Sequence, residues 1–96
     1  MNETDDNFFS RADEHIDLAN KHLSSTSKGK VSASMMYSLA RFNSWISACG
    51  FDKAEEMKEA KAETVKYFLT EYEKMLNENF DDYIGNFDKY MKQKEG

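Results

Sequence analysis

Val31 to Phe51 is a run of 21 residues with a single charge, Arg41, in a chain where 32% of residues are charged. A stretch this poor in charge reads as the spine of a fold, the segment around which charged neighbours arrange themselves. Its periodicity is helical: at 100° per residue Val31, Met35, Leu39, Phe42, Ile46 and Cys49 fall within an arc of about 80°. Ala33, Ala40, Ser44 and Ser47 form a second, small-residue face on which another helix can approach closely.

The rest of the chain is patterned the same way. Phe9, Ala12, Ile16, Ala19 and Leu23 recur at spacings of three and four, which predicts a first helix over about Asp6 to Leu23, its start capped by Asp5 or Asp6. Asp17 and Lys21 are its expected i,i+4 pair. Ser24 to Gly29 reads as a loop, and the second helix enters through Val31 and Ser32, with Ser32 as cap and Val31 stapled to Met36. It exits at Gly50 through a left-handed turn. Asp52 with Glu55 is a capping box for a third helix. Its inward stripe is Val65, Phe68, Leu69, Tyr72, Met75 and Leu76, and Glu55–Lys58 and Glu63–Lys66 are spaced to pair on its wet face. Asn77 to Asn79 reads as a break, followed by a short helix over about Asp82 to Lys92 with Phe80, Ile84, Phe87 and Met91 as its stripe. The chain has no proline and four glycines, so helices are favoured over turn-rich sheets. The expected fold is all-α, a compact bundle of three long helices plus a short C-terminal fourth in one domain, with 1–5 and 93–96 as flexible ends.

Composition narrows the function classes. A net charge of −5, with lysines interleaved among glutamates, offers no dense positive face for nucleic acid. The run from Val31 is broken by Arg41 and is too short in uncharged length to span a membrane. One cysteine, Cys49, permits no internal disulfide, and the acidic, polar beginning of the chain is not that of a secretory signal, so a reducing cytoplasmic setting is expected.

Few residues invite chemistry. Arg41 lies one turn from Tyr37 and one turn from Trp45, so its guanidinium can stack between two rings. Two readings follow. Tyr37, Arg41 and Trp45 form a site for a carboxylate or phosphate, or Arg41 is a structural ion-pair partner of Asp81 or Asp82 and pins the last helix to the spine. His15 and His22 are seven residues apart, too far along a helix to share a metal ion, and no metal or other cofactor is expected. Cys49 reads as an inert thiol at the end of the apolar stripe. Adjacent Asp81 and Asp82 read as caps rather than as an acid–base pair. Phe80, Tyr83, Phe87, Tyr90 and Met91 supply more apolar surface than a short helix needs for one buried face, so they are candidates for an interface.

Three stretches, Arg11 to Asn20, Lys30 to Asn43 and Tyr72 to Tyr83, resemble a family of small bacterial proteins described only as a domain of unknown function. The Val31 to Ser34 and Ala40 to Asn43 segments carry the likeness most specifically, and Asn79 to Tyr83 shares in it. The resemblance implies a bacterial origin and a compact helical fold, and it brings no site with it. Two functions are therefore open: a non-catalytic interaction or regulatory module, working with a protein partner or as a homodimer, and a small anionic-ligand binding protein or enzyme centred on Arg41.

Overall fold

A computed structural model of the chain describes residues 5–92. Among these every regular element is helical: α1 (Phe8–His22), α2 (Lys28–Ala48), α3 (Ala54–Gly85) and α4 (Phe87–Met91). Three long helices and a short fourth are thus present as the periodicity predicts. They fall into two units, Met1–Cys49 with α1 and α2, and Gly50–Gly96 with α3 and α4. The ends read as flexible lie outside the described residues, apart from Asp5.

In the first unit the caps differ from the expected ones. Asn7 occupies the N-cap of α1 without a side-chain bond, and Asp5 does other work. Its backbone oxygen accepts from the Phe8 N–H at 3.1 Å, and its carboxylate accepts from Arg11 Nη2 at 3.1 Å. The Arg11 guanidinium, hydrogen-bonded to that carboxylate, holds it below the ordinary aspartate value of 3.8. Lys21 and His22 in the last turn complement the negative helix end. The connection is shorter than Ser24 to Gly29 suggests, because Ser27 rather than Ser32 caps α2. Its backbone is extended, and its Oγ accepts from the Lys30 N–H at 3.3 Å. Gly29 and Val31 therefore lie inside the helix. The serines of the small-residue face bond back onto their own helix, Ser44 Oγ donating to the Ala40 carbonyl at 2.8 Å and Ser47 Oγ to that of Asn43 at 2.9 Å. The exit needs no left-handed residue: Cys49 has φ −60° and no described glycine has positive φ.

The expected burial of the α2 seam is not met. Val31, 7% exposed, is the buried residue among those described, whereas Met35, Leu39, Phe42, Ile46 and Cys49 are exposed. Within this unit α1 contributes Phe8, Ala12 and Ala19 as half-buried positions, two of them alanines. Side chains that small reach little of α2 beyond Val31 and its surroundings.

In the second unit α3 runs 32 residues, about 48 Å, without the break expected at Asn77 to Asn79. Asn79 is accommodated in the helix, its Nδ2 donating to the Met75 carbonyl at 2.7 Å. The bend falls at Asn86 instead, with φ −126° and ψ 29°, so the fourth helix begins at Phe87 rather than Asp82. The capping box is rearranged too: Glu56 Oε1, not a side chain of Glu55, accepts from the Asp52 N–H at 3.0 Å. Ion pairs among the described residues are Arg11–Asp5, Lys74–Glu71 and Lys92–Asp88, and not the three anticipated from spacing. Exposed pairs of this kind contribute little, so their choice is set by local rotamers more than by energy.

Candidate functional site

The C-terminal end of the second unit is organised by one carboxylate. Asp82, Asn86 and Tyr90 follow at intervals of four, so they share a helical face. Asn86 Nδ2 donates to both the backbone oxygen and Oδ1 of Asp82 at 3.0 Å, and the Tyr90 hydroxyl donates to Asp82 Oδ2 at 3.0 Å. Stacking follows: the Tyr83 and Tyr90 rings lie 4.7 Å apart at 48°. The bond from Asp82, which favours the protonated phenol, raises the Tyr90 hydroxyl above its ordinary value of 10.0. Asp82 thus ties α4 back onto α3. The spacing of four and eight is visible in the sequence, where Asp82 reads as a cap or as an ion-pair partner of Arg41 rather than as the anchor of Tyr90.

Tying α4 down half-buries Tyr90 and leaves its neighbours open. Phe80 is 62% exposed and Ile84 70%, and Tyr83, Phe87 and Met91 are exposed as well. These continue a line that begins far up the helix. Val65, Leu69, Tyr72, Leu76, Phe80 and Tyr83 fall within an arc of about 80° on α3, and all six are exposed, Leu69 by 63%. A shallow open groove runs along the line between Ala62 and Leu76, with Lys66, Thr70 and Glu73 on its edges. The half-buried positions of α3, Met57, Ala60, Thr64, Phe68 and Glu71, lie about 120° round the helix from this line. Of the six residues expected to face inward, only Phe68 is among them.

The edge of α2 is less organised. Tyr37 is 68% exposed, Trp45 62%, and Arg41 is exposed between them. The ring neighbouring Trp45 is that of Phe42, at 5.8 Å and 37°, and the cation–ring contact among the described residues is that of Lys89 over Tyr90 rather than one of Arg41. Stacking of Arg41 between Tyr37 and Trp45 is therefore not formed. Among the described residues of its own unit Arg41 makes no ion pair; Asp82, in the second unit, accepts from Asn86 and Tyr90. His15, His22 and Cys49 are exposed, and no cluster of three metal-binding side chains occurs among the described residues. No described helix is long and apolar enough to cross a membrane.

Comparison with known proteins gives a family and a fold. Residues 8–84 match the family described as a protein of unknown function (DUF3144), and the chain belongs to that family. The chain is similar to the NMR structure of the protein NB7890A from Shewanella sp., with 39% identity and a TM-score of 0.76, over 96% of this chain and 98% of that one. None of the curated proteins matches it. The matched region takes in the exposed line of α3 from Val65 to Tyr83 and stops short of α4.

Proposed function

We propose that this protein of the DUF3144 family is a non-catalytic helical interaction module whose working surface is the apolar line of α3, continued by Phe87 and Met91 of α4. One observation carries the reading: six large apolar residues, from Val65 to Tyr83, stand exposed along one face of one helix. Soluble domains keep contiguous apolar patches small unless something binds them, and aromatic residues such as Tyr72, Phe80 and Tyr83 are the types most enriched where binding energy concentrates. The groove between Ala62 and Leu76 gives the surface relief for an anchoring side chain. Asp82 supports the same reading indirectly, because it fixes α4 in one orientation and so presents Phe87 and Met91 in a set position. A net charge of −5 and a lone cysteine support a cytoplasmic protein that binds neither nucleic acid nor membranes.

The test is photo-cross-linking from within the surface. A photo-reactive amino acid in place of Leu69 or Phe80 is expected to give discrete protein adducts in cells, and one in place of Lys74, on the opposite side of α3, is expected to give none. Absence of adducts at both stripe positions, together with a saturable change in Trp45 fluorescence on titration with pooled anionic metabolites, would refute the reading in favour of a ligand site at Tyr37, Arg41 and Trp45.

A further inference from the structure

We propose that Asn86 is the hinge of a latch. At rest α4 is folded against the end of α3 by the bond from Tyr90 to Asp82; on release it swings out and continues α3 as one helix from Ala54 to Met91. The bend interrupts the helical ladder locally. No backbone bond crosses it from the amides of Phe87, Asp88 and Lys89 to the carbonyls of Tyr83, Ile84 and Gly85. On either side the ladder is intact, with the Asn86 amide donating to Asp82 and the Tyr90 amide to Asn86, each at 3.0 Å. The residues at the bend do not require it. The chain has no proline, Gly85 has no positive φ, and Asn86, at φ −126° and ψ 29°, lies outside the left-handed region.

Two contacts hold the bend, and a straight helix can make neither. On an uninterrupted helix, residues eight apart are separated by about 12 Å along the axis, and side chains lean toward the N-terminus. The Asp82 carboxylate would then point away from Tyr90, yet the hydroxyl donates to it at 3.0 Å. Rings seven residues apart lean the same way and stay about 10 Å from each other. Those of Tyr83 and Tyr90 are 4.7 Å apart. Nothing local supports α4: it has five residues, too few to be stable alone, and the Asn86 amide bonds Asp82 instead of capping it. Folded, the chain has one charge-assisted bond and one ring pair; straightened, it gains three backbone bonds. These sets are similar in worth, so losing one member of the first decides the position of α4.

Release changes the surface of α3. On a continued helix Phe87, eleven residues beyond Leu76, returns to within about 20° of it, so the apolar line grows by one turn. A partner lying along α3 as far as Phe87 binds the released position in preference and shifts the population toward it. That consequence rests on the interaction reading, whereas the latch itself does not.

The latch is tested on the purified chain without a partner, so the outcome is independent of any adducts from Leu69 or Phe80. Spin labels are placed at Lys74→Cys and Lys92→Cys in a Cys49→Ser background, and the labelled chain is diluted with unlabelled chain. On a continued helix these positions share a face five turns apart, about 27 Å. The chain with Tyr90 intact is expected to give a shorter distance. Tyr90→Phe, which removes the hydroxyl and leaves the ring, is expected to populate both distances, and Tyr90→Ala, which removes both contacts, only the longer. In Tyr90→Ala the amides of Phe87, Asp88 and Lys89 gain carbonyl partners and are expected to exchange with solvent at least about threefold more slowly than in the wild type. Three results would each overturn the latch: a distance of about 27 Å with Tyr90 intact, a short distance retained by Tyr90→Ala, or a broad distribution with faster exchange in that variant, as a fraying α4 gives.

Discussion

Replacing both Gly29 and Gly85 by alanine is expected to stabilise the protein, and the size of the effect follows from where the two residues sit. Gly29 lies in the first turn of α2 and Gly85 is the last residue of α3. Neither has a positive φ, and a Cβ built on either meets nothing within 4 Å. No strain or clash therefore offsets the loss of unfolded-state freedom. A helix-interior glycine costs about 0.5–1 kcal/mol relative to alanine. Both positions are near helix ends, so the lower figure applies to each, and two distant sites add to about 1 kcal/mol. For a chain of this length that is a rise of about 4–8 °C in Tm. The assay is thermal unfolding followed by circular dichroism, with each variant at the same protein concentration so that any self-association contributes equally. A drop in Tm for Gly85→Ala would mean that Gly85 ends the helix in a left-handed conformation. The bend would then not lie at Asn86, and the alignment of Asp82 with Tyr90 would fail with it.

Other outcomes follow from single contacts. Ser27→Ala removes the cap of α2 and is expected to lower stability by about 1 kcal/mol, read from urea unfolding, whereas Ser32→Ala is expected to have little effect. Asp82→Asn should return the Tyr90 hydroxyl toward 10.0 in an ultraviolet titration. Because the folded value is raised, the stabilisation it reports is complete below the ordinary tyrosine range and is lost as pH climbs through the folded value. Arg11→Gln should bring the Asp5 carboxyl back up to about 3.8 in an NMR titration. Its folded value is depressed, so that contribution is present above the ordinary value and fades as pH falls through the folded one.

Much of the fold was legible because helices announce themselves by period. The threefold and fourfold spacing of apolar residues placed all three long helices, since that spacing is a property of the backbone. Boundaries were harder, because several residues could cap equally well. Ser27 and Ser32 are both good N-caps, and only the extended backbone at Ser27 decides between them. Asn79 suits a break as well as a helix interior, and inside a long helix its amide simply bonds the carbonyl four residues back. Burial was the least legible property. A wheel shows which face of α3 is apolar, but Met57, Thr64 and Phe68 are half-buried while the richer face with Leu69 and Phe80 stands open. The candidate site divided in the same way. Phe80, Tyr83 and Phe87 were picked out from an excess of apolar residues, whereas the role of Asp82 depends on a bond across the Asn86 bend that linear spacing only hints at.

The most direct test of the α3 surface is covalent footprinting with a carbene precursor, carried out in cells and on the purified chain. Occupation of the surface predicts that Leu69, Leu76 and Phe80 are labelled less in cells than in the purified chain, whereas Lys74, on the opposite side of α3, is labelled alike in both. Equal labelling of the three stripe residues in the two settings would contradict the account.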